Sequence, residues 1–208
     1  QKSVPSHVRE MMSSVSMDSA KLKGLKGRRV LVVTNNAVFK ESDIRQVFFE
    51  GQTRPQLIES AKPILMHLAA STDLFLLTQF PHSGHETLTS YMENHTEVNE
   101  TFPHGSWKDD ECEGVIVDAF KDAGICDAGL NSSQILFCET VEGRGYVGRV
   151  LGEFSSENQL ALMVDDNPES IGWYQNVCLN TTMIAIATPE NQGKFHESKK
   201  TLPPIIVS

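Results

Sequence analysis

Two adjacent carboxylates close an apolar run in Val164-Asp165-Asp166-Asn167, and a paired acid at a strand end can hold Mg²⁺ through oxygen ligands. Phosphoryl transfer through a covalent intermediate would also need a nucleophile, with an acid near it to protonate the leaving group, and the positions closing the first strand are where to look for them. Those places hold Thr34 and Asn36. Neither can carry a phosphoryl group as an aspartate does, so the acid pair stands without a nucleophile. Capping of a following helix by Asp166 or Asn167, ahead of Pro168 in its first turn, accounts for the same residues. His82, His85, His95 and His104 crowd one polar stretch, but they show no HxxxH spacing and no cysteine lies closer than Cys112, so they read as solvated loop histidines. Ser83 sits between two of them without a G-x-S-x-G turn. A dinucleotide site would place G-x-G-x-x-G directly after the first strand, where this chain has Asn35-Asn36-Ala37-Val38-Phe39. The G-x-G of Glu142-Gly143-Arg144-Gly145 follows a later strand and is expected to serve turn geometry. No catalytic residue, metal ligand or cofactor is assigned on these patterns.

The elements that would carry those residues alternate along the chain. Continuous apolar runs predict strands at Val30 to Thr34, Asp73 to Phe80, Gln134 to Cys138, Leu160 to Val164 and Thr182 to Thr188. Between them, apolar residues at helical spacing predict helices over Ser42 to Phe49 and Arg54 to Ala70, the latter kinked at Pro63. Further helices are expected over His85 to Met92, from Cys112 to a stop at Gly124, over Tyr146 to Leu151, and after Pro168. Five short apolar strands alternating with helices predict a three-layer Rossmann-like domain, a mostly parallel five-stranded sheet with helices on both faces. The expected boundaries are a basic arm over 1–27, the domain over 28–188 with an acidic loop insertion at 93–111, and a tail over 189–208. Ligands of such sheets bind outside the carboxyl ends of the strands. At those ends this sequence holds no complete catalytic or cofactor-binding set.

The net charge of −9 over 208 residues is unevenly distributed. Residues 1–29 carry seven Lys/Arg against Glu10 and Asp18, a net of +5, which leaves −14 on residues 30–208. A body so acidic repels a polyanion, which argues against nucleic acid as a partner. The basic arm has the charge of a linker beside an anionic membrane leaflet, and Gln1 in first place suggests an upstream segment removed from a longer chain. Cys112, Cys126, Cys138 and Cys178 lack metal spacing and read as free thiols. The sequons at Asn94, Asn99, Asn131 and Asn180 read as coincidence.

Two resemblances bear on function. The Val164–Asn167 run locally resembles the haloacid dehalogenase superfamily of phosphatases, which keeps a degenerate Mg²⁺-dependent phosphatase open as an alternative, beside a small-ligand or nucleotide-binding module. A longer series runs through Ser71-Thr72-Asp73-Leu74-Phe75-Leu76-Leu77, Asp122-Ala123-Gly124-Ile125, Gly129-Leu130, Ile135-Leu136-Phe137-Cys138, Glu142-Gly143-Arg144 with Tyr146-Val147, and Asp165-Asp166-Asn167-Pro168-Glu169. This series, over residues 55 to 187, resembles the soluble domain of the peroxin-22 family. The resemblance implies a Rossmann-like domain without a cofactor site, on the cytosolic face of the peroxisomal membrane below an upstream membrane segment. It also implies a non-catalytic role: anchoring and activating the peroxisomal ubiquitin-conjugating enzyme, peroxin-4, in support of import-receptor ubiquitination. Contact residues for that partner are expected among Arg144, Arg149, Tyr146, Phe80 and Phe154, aromatic and cationic anchors near the third strand's end and the helix after it. Tyr146 also fits the apolar face of its helix with Val147, Val150 and Leu151, and its core placement is the simpler expectation.

Overall fold

All five apolar runs pair into one sheet in the computed structural model of the chain, which describes residues 24–50, 54–81, 109–153, 159–177, 181–188 and 205–206. The strands are β1 (Arg29–Val33), β2 (Asp73–Gln79), β3 (Ile135–Cys138), β4 (Leu160–Asp165) and β5 (Thr182–Ala187). Every pairing is parallel, in the order β3-β2-β1-β4-β5. A two-residue strand β6 (Ile205–Ile206) adds to the outer edge of β5. The expected five-stranded sheet thus gains a short sixth strand from the tail.

Among the described residues six α-helices cover the sheet: α1 (Glu41–Glu50), α2 (Ala61–Ser71), α3 (Asp109–Asp122), α4 (Ile125–Ala128), α5 (Val141–Glu153) and α6 (Pro168–Val177). Alternation along β1 separates two cores. Val30 and Val32 face Ile44, Leu65, Met66, Ile116, Phe120 and Ile125, from α1 to α4. Leu31 and Val33 face the other way, toward Leu151 and Tyr174 of α5 and α6. A strand buried on both faces must be apolar at every position, which is why β1 reads as a continuous run. The fold is the three-layer Rossmann-like architecture expected from the alternation.

Two boundaries differ. The helix expected from Arg54 begins only at Ala61, and residues 54–58 run without helix, tied to the loop after β1 by the Ile58 amide donating to the Val38 carbonyl at 2.8 Å. Pro63 therefore lies in the first turn of α2, where its missing N–H costs nothing, and produces no mid-helix kink. The acidic insertion ends earlier than expected, since α3 already begins at Asp109. Residues 93–108 of the insertion, the helix expected over His85 to Met92, the four loop histidines and residues 1–23 of the arm lie outside the described residues. Gly124, with φ +78°, ends the long helix α3 as predicted. Cys112, Cys126 and Cys138 are in no disulfide among the described residues, and Cys178 is outside them.

Candidate functional site

The strand order fixes where a site would be. After β1 the chain moves toward β2 and after β4 toward β5, so the crevice between the carboxyl ends of β1 and β4 is the topological switch point. Register aligns what meets there. Val33 pairs with Leu77, which puts Thr34 beside Thr78; both side chains are fully buried and their hydroxyls lie 2.7 Å apart. Asn35 extends the β1–β2 ladder with its side chain: Oδ1 accepts from the Gln79 amide and Nδ2 donates to the Gln79 carbonyl, each at 2.9 Å. The same Nδ2 donates to Glu41 Oε2 at 2.7 Å. Asn36 adopts φ +56°, a left-handed turn that asparagine tolerates, and so aims its amide across the crevice at Asp166 Oδ2, 2.7 Å away.

Arg144 closes the cluster. From the first turn of α5 its Nη1 reaches Asp165 Oδ1 at 2.5 Å and Asp166 Oδ1 at 2.7 Å, and its side chain is 5% exposed. The rest of Asp165 is also bound: Oδ2 accepts from Ser170 Oγ at 2.5 Å and Oδ1 from the Asn167 amide at 3.0 Å. Asn167 caps α6, its Oδ1 accepting from the Glu169 amide at 2.9 Å. One guanidinium therefore faces Asp165 and Asp166, with Glu41 as a third acid nearby. Burial pushes the Asp165 carboxyl up to about 6, with Arg144 pulling down and Asp166 pushing further up. Burial also raises Glu41, against the hydrogen bond from Asn35. For Arg144 burial works against the charge, but Asp165 and Asp166 outweigh it and hold the guanidinium protonated.

The Glu142–Gly145 segment lies within α5 instead of forming the expected turn, and Gly145, with Gly148 three residues on, permits close packing of α6. A Cβ on Gly145 would meet the Trp173 ring at 2.8 Å, and one on Gly148 would meet Tyr174 Cε1 at 2.0 Å. Tyr174, fully buried, crosses α5 and donates its hydroxyl to the Arg144 carbonyl.

The residues expected to contact a partner separate on this framework. Arg144 is buried in the ion cluster and Phe80 is 4% exposed, stacked on Phe137 with ring centroids 5.6 Å apart, so neither is a surface anchor. The reason is one of layers: Phe80 follows a central strand, and Arg144 points inward over the sheet edge. Tyr146 departs from its expected core placement and is 60% exposed. Gly148 and Leu151, not Tyr146, form the inward side of α5. Arg149 is exposed on the same helix, and Phe154 lies outside the described residues. Trp173, absent from the expected contact residues, lies beside Tyr146 with ring centroids 6.0 Å apart. Its place off the Ile171 and Tyr174 face of α6 was the available signal.

Among the described residues no group of three or more His, Cys, Asp or Glu is arranged to hold a metal ion, and no helix is long and apolar enough to cross a membrane. No protein-family model matches the chain, and no curated protein matches it.

Proposed function

We propose that this chain is a non-catalytic docking domain that recruits and activates the peroxisomal ubiquitin-conjugating enzyme on the cytosolic side of the peroxisomal membrane. The observation that carries the reading is the state of the switch point. Its acids are spent on Arg144, Asn36, Ser170 and the Asn167 amide of the same chain, and the end of β1 offers Thr34 and Asn36 where a phosphatase of the dehalogenase type would need carboxylates. Such a cluster fixes the strand ends and helix starts to one another. Function then resides in the surface that the fold presents, and the resemblance of residues 55 to 187 to the peroxin-22 family supplies the partner. The basic arm, at +5 over residues 1–29, supports a position beside an anionic leaflet. Under this reading activation is a population shift: the domain binds the active arrangement of the enzyme more tightly than the others.

Co-purification and calorimetry with the peroxisomal ubiquitin-conjugating enzyme test the proposal. A micromolar or tighter complex that raises ubiquitin discharge is expected, and no binding at that concentration overturns it. The phosphatase alternative is tested in parallel. Titration of Mg²⁺ with a generic phosphomonoester should give no turnover, and turnover abolished by Asp165→Asn would replace docking with catalysis.

A further inference from the structure

We propose that the outward face of α5 and α6, centred on Tyr146, Val150 and Trp173, receives the conjugating enzyme, which meets it with an apolar patch rimmed on one side by lysines or arginines. This inference rests on the docking reading above and gives that reading a location. Tyr146, Val150 and Trp173 are 60%, 50% and 40% exposed, the large apolar side chains most open to solvent among the described residues. They are not scattered. Tyr146 and Val150 stand one turn apart on α5, and the Trp173 ring of α6 lies against Tyr146. Exposed apolar side chains gathered on one face mark an interaction site where single ones do not.

The face is also rigid. The Trp173 ring rests on the bare backbone of Gly145, and the neighbouring Tyr174 is locked across Gly148 with its hydroxyl on the Arg144 carbonyl. Aromatic anchors held this way lose little freedom on binding.

Charge selects the occupant. Glu142 stands one turn before Tyr146 on α5 and Glu169 one turn before Trp173 on α6, both exposed, so the aromatic centre has an acidic border at the amino-terminal ends of both helices. Arg149, exposed and three residues after Tyr146, lies toward the carboxyl-terminal half of α5. A second copy of this chain, −9 overall, would bring the same glutamates to the contact, and like charge opposes that pairing. A partner with a basic border complements it.

The test is calorimetric titration of the full chain with the purified conjugating enzyme at 50 and 300 mM NaCl, beside sedimentation of the chain alone. Tyr146→Ala and Val150→Asp, both at exposed positions, are expected to keep the melting temperature and to weaken binding at least 10-fold. Trp173→Ala should also weaken binding but lower the melting temperature, because its ring packs on Gly145, and Glu142→Lys with Glu169→Lys should weaken binding at 50 mM NaCl and flatten its salt dependence. If wild type binds and the Tyr146 and Val150 variants bind equally well, this surface is overturned and the docking function stands. Absence of wild-type binding overturns both. Self-association of wild type that Tyr146→Ala abolishes would overturn the choice of occupant.

Discussion

Arg144 is one buried guanidinium against two carboxylates, and such a residue is costly to remove. Arg144→Met leaves Asp165 and Asp166 buried without their counter-ion, so a loss of about 3–5 kcal/mol in urea-monitored stability is expected. The same cluster sets a pH dependence. Asp165 titrates near 6 in the folded chain against 3.8 in its ordinary state, and Glu41 is raised as well. Between those values the folded state holds more protons than the unfolded one, so stability is greatest near the lower end and falls as pH rises toward 6. The urea midpoint should accordingly be higher at pH 5 than at pH 7, and Asp165→Asn should flatten the difference. No change between those pH values in wild type would contradict it. Sequence exposed the acid pair and the missing carboxylate after β1, because both follow apolar runs. It did not expose the pairing with Arg144, which depends on a contact between residues 21 and 22 positions apart that only the packing of α5 against β4 creates.

Helices α5 and α6 owe their approach to two positions without side chains. Gly148→Ala would drive a Cβ into the Tyr174 ring, which is fully buried and cannot withdraw, so about 1–3 kcal/mol of destabilisation is expected. A lowered melting temperature with unchanged far-ultraviolet dichroism would check it; a neutral effect would show that α6 can shift. Element by element, the strands were legible because a strand covered on both faces must be apolar throughout, as in β1 and β2. The start of α2 was not. Leu57 and Ile58 continue its apolar spacing, yet the Ile58 amide is taken by Val38, a tertiary bond that local periodicity cannot reveal. The inward and outward sides of α5 were likewise misjudged, because a glycine stripe that admits Tyr174 carries no hydrophobic signal.

At the scale of the molecule, charge and topology act together. Residues 30–208 carry −14, and the two helices of the proposed docking face each place a glutamate one turn before its aromatic. Association with a basic-rimmed partner should therefore slow as salt rises, chiefly through the on-rate, and stopped-flow measurement between 50 and 300 mM NaCl would show it. An on-rate indifferent to salt would remove electrostatics from the recognition. Fold class was legible from the alternation of elements, whereas the strand order that creates the switch point was not, since no short-range pattern distinguishes one parallel order from another.

The sheet's two unequal cores bear on how the molecule comes apart. One face is sealed by α1 to α4 around an extensive apolar cluster; the other rests on two smaller ones, Leu151 and Tyr174 with residues of β1, β2 and β4, and Ile171 with Ala185 and Ala187 of β5, fastened by Arg144. Opening free energies follow buried apolar contact, so the α5–α6 layer is the natural first unit to detach while the sheet and its opposite layer persist. Amide hydrogens of α5 and α6 should exchange before those of β1, β2 and α3, and Arg144→Met should widen that gap rather than accelerate all amides alike.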